Sequence, residues 1–272
     1  MGDLDFVLDT LTSREVAEKL KSVGRPDWRA SLKTAGLDAE RSPLATRGAA
    51  PTRAAAPIAK TLPEDEMKKK GKVVVDAEHT NEAIEKARSL KPIAEKVNSC
   101  KRCLLYTTAT NGVPGEGDSK AQVVIVGEAP GANEDETGLP FVGAAGGLLT
   151  KILESVNLSR EEVFITNVVK HRPPGNRNPT PDEVEACSPY LIRQLELIKP
   201  KVIIAFGNFA AQTLLGTKDG IGKLRGTVHT YHGTPLVVTY HPAALLRNPN
   251  WKRPTWEDVK LARRVLDNAQ GA

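Results

Sequence analysis

Glu128, Asn167, Asn208 and His241 each follow directly on a short run rich in β-branched residues: QVVIVG, VFIT, KVIIAFG and PLVVTY respectively. A carboxylate can stabilise a cation or position a water, a carboxamide can read a donor and acceptor pattern, and an imidazole can donate to developing negative charge. Singly these residues mean little, because Asn and His at strand ends are often turn formers or structural residues. Their shared position is the signal. A second constellation is Cys100-Lys101-Arg102-Cys103, followed far downstream by His171 and Cys187, which uses every cysteine in the chain. Two thiolates separated by two residues can bind one metal or one cluster, and His171 with Cys187 completes four ligands. Iron-sulfur, structural zinc and unrelated buried thiols all remain open on spacing alone. A third feature is HPAALLRNPNWKRP, where Leu245 and Leu246 precede Arg247, Trp251, Lys252 and Arg253. Apolar wedges beside cations suit prying open a base step while holding phosphates. A helix start with incidental charges is the plain alternative. The loop GIGKLRG, residues 220–226, offers backbone N–H groups with Lys223 and Arg225, which suits phosphates but also occurs in ordinary turns.

The elements that must position these residues alternate. After Ala121 each β-branched run is followed by a helical pattern: GAAGGLLTKILESV, PDEVEACSPYLIRQLELI, NFAAQTLL and TWEDVKLARRVLDN. Near-continuous Val/Ile strands with helical crossovers predict an α/β fold, a three-layer α/β/α sandwich around a central four-stranded, mainly parallel sheet. In such sheets, functional groups gather beyond the carboxyl ends of the strands. Thr180, Pro181 and Glu183 predict a capped helix start. The turn Gly127-Glu128-Ala129-Pro130-Gly131 is not a dinucleotide fingerprint, and no phosphate-cradling G-x-x-x-x-G-K-[ST] occurs.

With 272 residues the chain can bury a substantial core, and 38 basic against 33 acidic residues give a net charge of +5 that favours polyanionic partners without proving one. Three cysteines exclude a disulfide scaffold and point to a reducing, cytosolic setting. No uninterrupted stretch of some 20 apolar residues appears, so membrane spanning is not expected. Residues 1–41 read as an extension with one short helix, in which Thr12 and Glu15 form a capping box and Gly24 and Pro26 stop the helix. Residues 42–79, Ala/Pro-rich and then Lys-rich, read as a flexible linker. The region 80–272 carries the chemistry.

The motifs GEAPG at 127–131, EDETGLPFVG at 134–143, NVVKHRPPGNRNPTPDE at 167–183 and HPAALLR at 241–247, with the cysteine spacing, resemble the type 4, iron-sulfur uracil-DNA glycosylases. The resemblance covers roughly residues 86–270. It implies hydrolysis of the N-glycosidic bond of uracil in single- or double-stranded DNA, leaving free uracil and an abasic site. It further implies a uracil pocket of Gly127, Ala129, Glu134, Phe141, Asn167 and His241. Phe141 would stack on the base, Asn167 would read its edge, and Glu134 would exclude thymine beside C5. His241 would donate to uracil O2. Glu128 would stabilise the sugar cation or position the water, although the related type 1 enzymes carry an aspartate one position later, where this chain has Ala129. Leu245, with Leu246 as the alternate, would be the wedge, and Arg247 a phosphate contact. Cys100, Cys103, His171 and Cys187 would hold a structural 4Fe-4S cluster, with His171 standing where the family has cysteine. The inserted basic loop of covalently trapping relatives is missing after GLPFVG, so simple turnover is expected.

These implications describe a cytoplasmic, nucleoid-associated monomer in base excision repair, with a protein partner for the N-terminal helix. Two other classes stay in view: a cluster-containing DNA-binding repair scaffold with little catalysis, and a small-nucleotide hydrolase on the same platform. The wedge loop counts against the second.

Overall fold

The computed structural model describes residues 77–270, so the expected N-terminal helix and almost all of the expected linker lie outside the described residues. Residues 77–79, expected at the end of the linker, are already helical, in α1 (Ala77–Glu85); α2 (Leu90–Asn98) follows and runs into the first cysteine. The sheet strands are β1 (Glu116–Gly117), β2 (Val123–Gly127), β3 (Phe164–Asn167), β4 (Val202–Phe206), β5 (Val228–Tyr231) and β6 (Thr234–Thr239). The remaining helices are α3 (Ala132–Thr137), α4 (Gly143–Glu154), α5 (Pro181–Ile198), α6 (Asn208–Leu215), α7 (Ile221–Leu224), α8 (Pro242–Arg247) and α9 (Lys252–Gln270). No described helix is long and apolar enough to cross a membrane.

The strand order is β1-β3-β2-β4-β6-β5. The four strands expected from the Val/Ile runs form the parallel centre, with Ile125 facing both Ile165 and Ile204, and Ala205 facing Val238. Two edge strands extend the expected four to six, and both pair antiparallel. β2 and β4 are buried along their whole length, as strands covered on both faces must be. On one face Val124, Val126, Ile203, Ala205, Leu236 and Val238 pack under α1, α2, α5 and α6. On the other, Ile125, Ile165, Ile204 and Val237 pack under α4, α8 and α9. This is the expected three-layer sandwich.

From β2 the chain moves to β3 on one side, and from β4 it moves to β6 on the other. The carboxyl ends of β2 and β4 therefore flank a topological switch point, where connections lead away and leave a crevice. At α5, Glu183 N–H donates to Thr180 Oγ1 at 3.4 Å, and Thr180 N–H donates back to the Glu183 carboxylate at 2.8 Å. The reciprocal cap read from the sequence is present.

A buried ion pair ties the β6 side of the sheet to α9. Asp258 is 1 % exposed and accepts from Arg225 Nε and Nη2, both at 3.0 Å, and from Thr239 Oγ1 at 2.8 Å. Breaking such a pair strands a buried charge, so Asp258→Ala is expected to cost about 3–5 kcal/mol. Urea denaturation of the purified variant should show a lower midpoint, with an extrapolated unfolding free energy reduced by that amount. A midpoint equal to wild type would mean that Arg225 and Thr239 find water instead.

Candidate active site at the rim of the sheet

Asn167 is the last residue of β3 and lies beside Gly127, the last of β2, in the sheet register. Its side chain is buried. Asn167 Oδ1 and Asn81 Oδ1 are the two buried side-chain polar atoms without a hydrogen-bond partner among the described residues. Leaving a buried carbonyl unpaired costs about 1–3 kcal/mol, so an orphan at a strand end points to a ligand. Gly127 must be glycine for the same geometry: a Cβ there would lie 2.3 Å from Asn167 Oδ1 and 2.6 Å from Phe141 Cζ.

Phe141 is held in a backbone conformation that L-residues seldom adopt, with φ of 50°. Four hydrogen bonds and one close approach surround it. Glu134 accepts from Gly131 N–H at 3.0 Å and from Val142 N–H at 2.9 Å, clamping both ends of the loop. Arg160 donates to the Pro140 carbonyl and to Glu116 at 2.9 Å. Gly146 of α4 lies so close that a Cβ would fall 1.8 Å from the Phe141 carbonyl oxygen. The Phe141 ring stacks on His241, centroids 5.2 Å apart and 28° between planes, and meets Phe206 edge-on at 6.4 Å.

His241 follows β6 and opens α8. Ala243 N–H donates to its Nδ1 at 3.2 Å, so the neutral ring carries its proton on Nε2. Burial, with a smaller contribution from Arg247, lowers its pKa to about 4. Gly207, the residue after β4, has φ of 100° and lies close to His241, 3.2 Å from its own ideal Cβ position to the histidine Cβ. Glu128 is half-buried, and desolvation raises its pKa. Two surface grooves, of about 450 and 560 Å³, are lined by none of Glu128, Phe141, Asn167 and His241.

Several expected residues sit differently. Leu245, the expected wedge, is 1 % exposed and packs in the core with α4 and α9, whereas Leu246 is 51 % exposed. Arg225, expected on phosphate, is engaged by Asp258 and by the Pro254 carbonyl at 2.8 Å. Lys223 is exposed, with a 3.3 Å ion pair to Asp219, and Arg247 is exposed. Ala129 is partly buried against the α5 side of the core. Glu134 uses its carboxylate on the Phe141 loop. Sequence reading passed over Lys170, which is fully buried and donates to Thr166 Oγ1 at 2.6 Å, the Asn167 carbonyl at 2.8 Å and Gln194 Oε1 at 2.8 Å. Its signal was a lysine closing the apolar run NVVK.

The thiols form a separate centre. Burial raises the pKa of Cys103, with Cys100 adding to the effect; burial pushes Cys187 up to about 12, with Cys100 and Cys103 adding again. The three sulfurs therefore feel one another's charge. Lys170 N–H donates to Cys187 Sγ at 3.2 Å. His171 is buried, and desolvation lowers its pKa, which favours the neutral, ligating imidazole. Among the described residues no three His, Cys, Asp or Glu are grouped closely enough to hold a single ion. In donor chemistry the set fits a thiolate-held group, because a cationic centre relieves the clustering that disfavours ionisation.

Fold and rim together define an α/β protein whose sheet rim brings one buried carboxamide, one aromatic ring and one neutral imidazole together. The chain belongs to the uracil DNA glycosylase superfamily, whose family model matches residues 114–260. It is 49% identical over 186 residues to a type-4 uracil-DNA glycosylase of Sulfurisphaera tokodaii, covering 65% of this chain and 84% of the relative. The corresponding enzyme of Archaeoglobus fulgidus is 48% identical over 180 residues, 63% of this chain and 90% of the relative. That of Thermotoga maritima is 45% identical over 178 residues, 64% of this chain and 93% of the relative.

The steric argument at Gly127 is directly testable. Gly127→Ala should displace the Asn167 carboxamide or the Phe141 ring and lower the turnover of a uracil-containing oligonucleotide by about 10²-fold, the scale of a 1 Å misplacement. Circular dichroism should be preserved. Full turnover by the variant would mean that neither group needs its observed position.

Proposed function

We propose that this chain excises uracil from DNA through the rim residues just described, and the unpartnered, buried Oδ1 of Asn167 is the observation that carries the reading. Like its type-4 relatives, the chain is a uracil-DNA glycosylase acting in DNA repair. A base inside a duplex must first be extruded, at a cost of about a few kcal/mol. Asn167 Oδ1 then accepts from uracil N3–H while its NH2 donates to O4. Cytosine presents the reverse pattern and would leave both groups facing their own kind. Lys170 fixes the main chain of Asn167, so the carboxamide does not have to be ordered at the moment of binding.

Cleavage of the bond between uracil N1 and the sugar C1′ sends its electron pair into the base, largely onto O2, and leaves an oxocarbenium-like sugar. His241 Nε2–H donates to O2. Because the ring is neutral, it acts as a hydrogen-bond donor whose strength grows with the charge on the leaving group. Glu128, as carboxylate, stabilises the sugar cation and orients the water that adds to C1′. Phe141 walls the base pocket, and Glu134 sets the Phe141 loop that borders it. Leu246, exposed on α8, is the wedge in place of Leu245, and Arg247 and Lys223 meet phosphate.

Cys100, Cys103, Cys187 and His171 would hold a 4Fe-4S cluster, which supplies structural cross-linking between the segment after α2, the end of β3 and α5. The clustered, desolvated thiols support this. The reading puts residues 80–272 in the catalytic domain and leaves residues 1–79 to tethering and partner contact.

The pH profile tests His241 and Glu128 together. The pKa of His241 is depressed to about 4, so its working neutral form dominates at neutral pH and is lost only as pH falls through that value. The carboxylate of Glu128 is lost as pH falls through its raised pKa. The single-turnover rate should therefore fall only on the acid side, and His241→Ala should lower it by about 10²- to 10³-fold. A wild-type rate that rises on acidification through 6.5 would make imidazolium the working form and overturn the assignment. For the cluster, anaerobically purified protein should be brown and contain iron and sulfide. Zinc without iron would overturn it.

A further inference from the structure

Immediately outside the rim, Tyr240 precedes His241 in the chain and stacks on Trp251, ring centroids 4.6 Å apart and only 7° between planes. Tyr240 also lies 5.7 Å from the Arg225 guanidinium, which Asp258 and the Pro254 carbonyl fix in place. Trp251 is held from its backbone as well: its N–H donates to the Asn248 carbonyl at 3.2 Å, and its own carbonyl accepts from Thr255 Oγ1 at 2.8 Å. With its backbone and one aromatic contact fixed, Trp251 is still 37 % exposed. Large aromatic side chains are normally covered, and a rigid exposed one is a recognition feature when its surroundings supply the complementary charge. Here they do. Trp251 is four residues beyond Arg247, five beyond the exposed Leu246, next to Lys252 and two residues before Arg253, whose side chain is 87 % exposed and forms a 3.5 Å surface ion pair with Glu257.

We propose that Trp251 is a stacking platform for a nucleobase of the substrate strand next to the extruded uracil, a positioning residue on the DNA side of the site. The proposal rests on the uracil-DNA reading above. Stacking is the contact that this geometry can offer without regard to sequence, because every base has a π-face and the indole presents no other hydrogen-bonding group than one N–H. The cations on either side of Trp251 in the chain serve the phosphates that flank such a base. Rigidity matters: an aromatic already fixed against Tyr240 loses little conformational freedom on binding. The platform also gives Leu246 a counterpart, the leucine entering the gap left by the uracil while the indole supports a neighbouring base on the same segment.

The test uses the full chain and oligonucleotides carrying a hydrolysis-resistant uracil analogue. Affinity is read by fluorescence anisotropy for wild type, Trp251→Ala, Trp251→Phe and Trp256→Ala. Trp256 is an equally exposed tryptophan whose ring instead carries Lys260 Nζ at 3.9 Å. Trp251→Ala should bind roughly 5- to 150-fold more weakly, the range of one base–aromatic stack. Phenylalanine should restore most of the loss, and Trp256→Ala should bind as wild type. The decisive arm removes single bases near the uracil, one position at a time. At one position the wild type should drop to the affinity of Trp251→Ala, and the variant should lose nothing further. In turnover of normal substrate, the larger part of the change should fall on the half-saturating DNA concentration. Equal affinities of wild type and Trp251→Ala would overturn the proposal, as would a Trp251→Ala loss that persists on every base-deleted oligonucleotide. Failure of wild type to release uracil at all would instead overturn the reading on which the proposal rests.

Discussion

The contact on which the site depends is the close approach of Phe141 and the Asn167 carboxamide over Gly127. No side chain larger than hydrogen leaves room for both, and the crevice between β2 and β4 supplies that room only because the sheet reverses its winding there. The remaining machinery follows from it. Phe141 reaches the crevice in a left-handed conformation that costs roughly 1–3 kcal/mol, and Glu134, Arg160 and the missing side chain of Gly146 all act to hold it. His241 stacks on the same ring. Asn167 and His241 are thus both set against one aromatic ring.

The electrostatics of the rim explain why the donors there are neutral. The surroundings that desolvate His241 to a pKa of about 4 also raise Glu128, so the pocket resists fixed charge of either sign. A hydrogen bond in such surroundings strengthens as its acceptor becomes anionic, and it does so without a reorganisation cost. Charge is kept outside instead, on Arg247, Lys223 and Arg253, where water screens it and phosphates can reach it. In the proposed function the low dielectric would serve the chemical step and the exposed cations association.

How much of this was legible in the sequence depended on the range of the interaction involved. The four parallel strands announced themselves because burial on both faces demands unbroken Val/Ile runs, and the α5 cap because its partners are three residues apart. β1 is two residues long, and β5 alternates between exposed and half-buried positions, so neither edge strand had the apolar run by which the others were found. The strand-end positions of Glu128, Asn167 and His241 were legible from the runs before them, whereas Phe141 was named from the motif resemblance alone. The difference between Leu245 and Leu246 was not legible, since adjacent helical residues differ by about 100° in direction and only the packed neighbours decide which faces inward. Arg225 read as free because its partner Asp258 lies 33 residues away on α9. Local pattern carries no trace of such pairings, nor of the left-handed Phe141.

Lys170 shows that the base pocket and the thiol centre are not independent parts. Its Nζ holds the Thr166 hydroxyl and the Asn167 carbonyl, its backbone N–H is bonded to Cys187 Sγ, and the next residue is His171. Five consecutive residues from Asn167 to His171 therefore run from the group that reads the base to a ligand of the proposed cluster. Gln194 of α5 closes the network by accepting from Lys170 and donating to the Pro114 carbonyl at 2.6 Å, just ahead of β1. A buried side-chain nitrogen with three oxygen partners is costly to rearrange, since displacing it leaves all three without their donor. Whatever fixes Cys187 and His171 in place thereby also fixes the start of this segment, and with it the direction in which Asn167 presents its carboxamide. Under the proposed function, a centre that took no part in bond breaking would in this way still set the precision with which Asn167 met the base.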